Sequence, residues 1–160
     1  MDKKQPTAYI LVGVPGSGKS TWYRNCTDLQ GCVYVSSDYI IEQEALRQGR
    51  SYDEVHPEFI NTAVQQMLEQ VRAAVDAGQD IVWDQTNPTA KARRHKLKML
   101  PGYRKVAVVF PTPDAAEHAR RLQRPGKTVP KMILDSMIEN FTVPTLEEGF
   151  DQILMVVDDV

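Results

Sequence analysis

The chain is short of cysteine, of long apolar runs and, over its last twenty-nine residues, of positive charge. Cys26 and Cys32 are its only cysteines, with no second pair and no metal-ligand spacing. That argues against a disulfide framework or a zinc ribbon; the two read as reduced thiols near the core, which fits a cytoplasmic compartment. No apolar stretch approaches the roughly 20 residues that span a bilayer, so no membrane helix is expected. Met1-Asp2-Lys3-Lys4-Gln5-Pro6 is polar and leads straight into an apolar run, unlike a secretory signal. His56, His95 and His118 are scattered in polar surroundings and match no metal-ligand spacing. Residues 132–160 hold seven acids and no Lys or Arg, whereas residues 88–131 hold twelve of the nineteen Lys and Arg against two acids. A local charge of +10 inside a chain of net charge −2 points to a polyanionic ligand beside that region. Ordinary solvated helix faces account for part of it.

What is present starts with Gly13-Val14-Pro15-Gly16-Ser17-Gly18-Lys19-Ser20, a complete G-x-x-x-x-G-K-[ST] loop. It lies between the apolar Ala8-Tyr9-Ile10-Leu11-Val12 and a segment, Thr21 to Asp28, that can be helical, and this strand-loop-helix context is what gives the pattern meaning. Gly13, Gly16 and Gly18 let the backbone curl so that successive N–H groups face phosphate oxygens, with the helix N-terminus adding its positive end. Lys19 then reaches the β- and γ-phosphates and the Ser20 hydroxyl ligates Mg²⁺. Pro15, Ser17 and Thr21 complete the expected nucleotide contacts, so ATP with Mg²⁺ is the expected pairing.

At 160 residues the chain reads as one domain, 1–160, large enough to bury roughly 70% of its unfolded surface. Short apolar runs alternate with longer helical patterns, the signature of a parallel sheet with crossover helices. Strands are expected at 8–12, 33–35, 80–83, 105–110 and 152–157. Helices are expected near 19–28, 39–48, 57–77, 89–100, 114–123 and 131–140. The fold class is α/β, a P-loop NTPase/kinase fold with a five-stranded, mostly parallel sheet flanked by helices and an Arg-bearing lid.

Open parallel sheets bind ligands at the carboxyl ends of their strands. The second strand ends in Ser36-Ser37-Asp38, where Asp38 either takes a proton from an acceptor hydroxyl or caps the helix beginning at Tyr39. The third ends in Ile81-Val82-Trp83-Asp84, the shape of a Walker B element whose acid helps hold the metal. Thr86 and Asn87 follow as polar side chains for a phosphate or acceptor. Arg120-Arg121-Leu122-Gln123-Arg124 and Lys127 flank a Pro-Gly break, as suits a lid that closes over a triphosphate. Trp22 and Trp83 read as core or adenine-side packing.

Taken together these residues resemble the kinase domain of polynucleotide 5′-hydroxyl kinases, as found in phages and in animal DNA-repair enzymes. The resemblance rests on Gly13 to Thr21, Ser36-Ser37-Asp38, Asp84-Gln85-Thr86-Asn87-Pro88, Arg120 to Arg124, Lys127-Thr128-Val129-Pro130 and Pro144-Thr145-Leu146-Glu147-Glu148-Gly149-Phe150-Asp151. It implies that Asp38 is the general base, that Asp84 supports the active site, and that Arg120 and Arg124 contact donor phosphates from the lid, with Lys19 and Arg124 joining Asp38 in catalysis. One departure is Ile41, where the family usually carries an arginine that grips the phosphate beside the acceptor hydroxyl. Arg47, Arg50 or the 91–98 cluster then becomes its replacement, or the acceptor differs. No D-x-D-x-T phosphatase signature is present, so a kinase without a companion phosphatase is expected.

The expected activity is transfer of the ATP γ-phosphate to a hydroxyl of nucleic acid, DNA or RNA, most simply a 5′-OH end. The alternatives are a kinase for a hydroxymethylated base within DNA, a small-molecule, nucleoside or nucleotide kinase, and a P-loop ATPase or switch.

Overall fold

A computed structural model describes residues 4–157. Met1-Asp2-Lys3, part of the polar start read from sequence as unlike a secretory signal, and the acidic Asp158-Asp159-Val160 lie outside the described residues. Five strands form one sheet: β1 (Thr7–Val12), β2 (Val33–Val35), β3 (Ile81–Asp84), β4 (Arg104–Val109) and β5 (Gln152–Met155). The order is β2-β3-β1-β4-β5 and every pairing is parallel, with Ile10 opposite Trp83 on one side and Ala107 on the other. The period-2 alternation of these apolar strands feeds two cores. Ile10, Val12, Trp83, Ala107 and Val109 face one side, and Leu11, Val82, Val106 and Val108 face the other.

Six helices connect the strands: α1 (Lys19–Asn25), α2 (Ser37–Gln48), α3 (Tyr52–Asp76), α4 (Ala90–Leu97), α5 (Ala115–Arg121) and α6 (Lys131–Asn140). The first core packs under α3 through Met67, Val71 and Ala74; the second meets Trp22 and Tyr23 of α1 and the half-buried Cys26 and Cys32, both free thiols. β1 lies between β3 and β4; the connection leaving β1 runs to β2 on one side, whereas the connection leaving β3 passes β1 to β4 on the other. The crevice at such a switch point, beyond the strand carboxyl ends, receives the loops after β1, β2 and β3.

The largest difference from expectation is the start of α3. Pro57 was expected at its first turn, but the helix begins five residues earlier, at Tyr52. Ser51 Oγ accepts from the Glu54 N–H at 3.2 Å and Glu54 Oε1 accepts from the Ser51 N–H at 3.1 Å, a reciprocal capping box that satisfies two orphan amides. Pro57 therefore sits in the second turn, where its missing N–H forfeits one bond to Asp53. Val55, packed with Ile41 and Ala45 of α2, holds that turn in place. No described helix is long and apolar enough to cross a membrane.

Candidate active site

The loop after β1 curls as the glycines require. A Cβ at Gly13 would lie 2.5 Å from Ser17 Oγ and 3.0 Å from Phe110 Cβ, so no side chain fits there. Gly18 has φ +98° and serves as the N-cap of α1. Lys19 is 8% exposed, and its ammonium donates to the carbonyls of Gly13 at 2.8 Å and Val14 at 3.1 Å. Burial lowers its pKa to about 8, against the opposing pull of Asp84 and Asp38. The loop is propped from behind: the Gly13 N–H donates to the Thr86 carbonyl at 2.9 Å, and Asn87 Nδ2 to the Leu11 carbonyl at 2.7 Å.

Asn87 is thus corrected from an acceptor-binding residue to a strut. It is 1% exposed and takes φ +50° to reach β1, while Thr86 and Gln85 remain on the cleft wall. Gln85 is tied down on both sides, accepting from Trp83 Nε1 at 3.1 Å and donating to Ser37 Oγ at 3.2 Å.

Asp84 ends β3 with 6% exposure, and its Oδ2 accepts from Ser20 Oγ at 2.9 Å and from the Tyr34 hydroxyl. Burial and the neighbouring Asp84 raise the Tyr34 pKa, so it stays a donor. Among the described residues no three His, Cys, Asp or Glu converge as a metal cage. One hydroxyl and one carboxylate beside a phosphate cradle is the donor set that suits Mg²⁺, which keeps waters and shares phosphate oxygens. Ser17 Oγ in the cradle and Arg124 Nε in the cleft are buried without a hydrogen-bond partner, as polar groups awaiting an anion would be.

The lid is built from α5 and the segment after it. His118, read from sequence as lying in polar surroundings, is 5% exposed, and its Nε2–H donates to the Pro15 carbonyl at 2.6 Å. Arg121, three residues on and so on the same helical face, reaches the Gly16 carbonyl at 3.4 Å and lines the cleft. Arg120 falls on another face, pairs with Glu117, and its side chain is 76% exposed. The lid arginines at the cleft are therefore Arg121 and Arg124; the expected Arg120 is not brought there.

Asp38 lies in the first turn of α2 but does not cap it. Ser36 does, accepting from the Tyr39 N–H at 3.1 Å. The Asp38 carboxylate opens into the cleft, accepting from the Tyr52 hydroxyl at 2.6 Å with Lys127 Nζ 3.5 Å away. Tyr52 titrates well above its ordinary value because of burial and the adjacent Asp38 charge. Ile41, one turn along, is fully buried between α2 and α3 and faces away from the cleft. None of its proposed substitutes reaches that place: Arg47 pairs with Glu44, Arg50 with Glu58, and no residue of 91–98 lines the cleft.

Pro15, Gly16, Gly18, Lys19, Ser20, Thr21, Asp38, Asp84, Thr86 and Arg124 thus share one open cleft of about 1110 Å³. Sequence reasoning missed Tyr34, Tyr52 and His118, and placed Arg121 in the lid without giving it a phosphate contact. A capping box at Ser51 would have placed Tyr52 on α3; the partners of the others are far away in sequence.

Residues 9–144 match the AAA domain family, and the chain belongs to it. Over 153 residues, 90% of the chain, it is 25% identical to a bifunctional polynucleotide phosphatase/kinase of Schizosaccharomyces pombe, of which the match covers 32%. The chain spans about a third of the length of the curated relatives it matches. Among solved structures, the Pnkp1/Rnl/Hen1 RNA repair complex holds a chain that superposes with a TM-score of 0.68 at 22% identity, over 87% of this chain and 45% of that one. A gluconokinase from Sinorhizobium meliloti superposes with a TM-score of 0.54 at 17% identity, over 96% and 83%. These structural likenesses establish the α/β P-loop fold.

Proposed function

We propose that this AAA-domain protein transfers the γ-phosphate of ATP to a hydroxyl group of nucleic acid. The observation that carries the reading is Asp38: a carboxylate released from capping by Ser36, aimed by Tyr52 into the cleft that holds the phosphate loop, and close enough to Lys19 to act on its charge. A carboxylate held in the cleft beside the phosphate loop is placed to take the proton of an acceptor hydroxyl. In the proposed reaction the acceptor oxygen bonds to the γ-phosphorus, the bond from that phosphorus to the β-bridging oxygen breaks, and Asp38 receives the hydroxyl proton. Lys19, Arg121 and Arg124 neutralise charge on the phosphates. Ser20 and Asp84 would hold Mg²⁺, which supplies further neutralisation of the β- and γ-oxygens. The polynucleotide phosphatase/kinase relative supports nucleic acid as the owner of the hydroxyl.

A second reading concerns which hydroxyl. The acceptor end of the cleft is lined by Tyr39, Tyr52, His56, Pro57, Ile133 and Met137, with Lys127 as the cation beside Asp38 and no arginine from α2. Such a wall suits a flat base better than a phosphate-gripped strand end, which favours a hydroxymethylated base swung out of its stack. The test offers γ-labelled ATP to 5′-OH DNA, 5′-OH RNA, hydroxymethylated DNA with blocked ends, and free nucleosides. Label in a 5′ end supports the first reading and label in the modified base the second. Label in nucleosides alone overturns a nucleic-acid acceptor.

A further inference from the structure

The segment after α5 is fastened to the body at the first turn of α3. The Asp53 N–H donates to the Gly126 carbonyl at 2.8 Å. The Asp53 carboxylate accepts from the Thr128 N–H and from the Thr128 hydroxyl, both at 2.8 Å. Between these two fixed points Lys127 is delivered into the cleft. There its ammonium pairs with Glu42, lies 3.5 Å from Asp38 Oδ2, and sits 4.7 Å from the centre of the Tyr52 ring. Tyr52, the residue beside Asp53, donates to the other oxygen of the same carboxylate. The two oxygens of Asp38 are thus addressed by two neighbours, one belonging to α3 and one to the lid.

We infer that the Tyr52-Asp53 pair couples the lid to the general base: Asp53 latches the 126–128 segment, and the latch sets Lys127 against Asp38 so that the carboxylate is held in its working orientation only when the lid is down. Tyr52 and Lys127 are positioning residues, acting through Asp38. The inference rests on the reading of Asp38 as the base.

The geometry makes the latch narrow. Gly126 has φ +71°, and a Cβ there would lie 2.9 Å from Ser51 Cβ, so the segment seats only because that position is glycine. Thr128 is exposed and belongs to the lid, so Thr128→Val removes one latch bond without touching α3. An ion pair and a short hydrogen bond give the base two independent constraints. Losing either leaves one carboxylate oxygen unrestrained, and misplacement of this kind costs about 10-fold to 100-fold in rate.

The test is a set of transfer assays under saturating ATP and acceptor, with ATP affinity measured separately by calorimetry. Tyr52→Phe and Lys127→Met should each lower kcat about 10-fold or more while ATP affinity stays within about threefold, and Lys127→Arg should restore most of the loss. Thr128→Val should lower kcat in the wild-type background but not in the Lys127→Met background, because the latch acts through Lys127; Gly126→Ala should behave likewise with a larger effect. Melting temperatures of all variants check that the fold is kept. If Thr128→Val costs the same factor with and without Lys127, or if Tyr52→Phe leaves kcat unchanged, the coupling is wrong. Asp38→Asn is run alongside. Retained transfer in that variant overturns the base itself, whereas its loss together with additive latch variants overturns only the coupling.

Discussion

Lys19 shows how a single charge is set by what surrounds it. Its ammonium is buried against two carbonyls of its own loop, and that burial lowers its pKa to about 8 despite the carboxylates of Asp84 and Asp38. Below pH 8 the free protein meets the triphosphate with the proton in place. Above it the proton is gone and binding must recover it, so ATP affinity should fall by about tenfold per pH unit between pH 8 and 10, with uptake approaching one proton. Calorimetry in buffers of different ionisation enthalpy reads both, and equal dissociation constants at pH 7 and pH 9.5 would contradict the assignment. The glycines and the lysine of this loop were legible in the sequence because the pattern is local. The two roles open to Asp38 were not separable there, since the same residue type serves as base or cap. The structure removes the cap role through Ser36, two residues earlier, whose hydroxyl takes it, and so frees Asp38 for the proposed role of base. The exchange of Arg120 for Arg121 is a matter of helical phase: His118 and Arg121 share the face that meets the phosphate loop, and no sequence pattern states which face that is.

At the scale of elements, α4 shows why a basic stretch need not be a basic patch. Arg93 is fully buried, pairs with Glu148, and donates to the carbonyls of Asn87 at 2.9 Å and Thr142 at 3.0 Å. It ties the segment after β3, and through Asn87 the back of the phosphate loop, to the turn before β5. Burial pushes the Glu148 carboxyl up, but the Arg93 hydrogen bonds and the Thr145 N–H outweigh it and hold the group below its ordinary value. That stabilisation is complete at neutral pH and is lost as pH falls from about 4.5 through the lowered value. Arg93→Met leaves the carboxylate and two carbonyls without their partner and should cost about 3–5 kcal/mol. Thermal denaturation should register this as a drop of roughly 6–20 °C; a drop under 2 °C would mean the strap is not holding the loop. A bond spanning 55 positions has no sequence signature. The capping box of α3 did have one, Ser51-x-x-Glu54, but Pro57 is the stronger start signal by itself and shifted the expected boundary.

For the whole molecule, alternating apolar runs and helical patterns were enough to place five strands and six helices, because each strand is apolar on both faces and each helix amphipathic or bounded by turn residues. Folding withdraws or pairs part of the basic charge that the sequence concentrates in residues 88–131. Arg93 is internal, Arg120 and Arg121 engage Glu117, Lys131 pairs with Asp135, and Lys127 is drawn to Glu42 and Asp38. What remains at the cleft is a cationic end around the phosphate loop and an aromatic, partly acidic end around Asp38. The central claim is that this polarity directs phosphate to a hydroxyl. Rapid-quench partitioning of γ-labelled ATP tests it most directly, scoring label in mixed 5′-OH and hydroxymethylated DNA against label released as inorganic phosphate. The wild-type protein should place most label in nucleic acid, and Asp38→Asn should bind ATP within about threefold of wild type yet transfer 10²–10⁴-fold more slowly. Release of all label to water by the wild type, or near-normal transfer by Asp38→Asn, would contradict it.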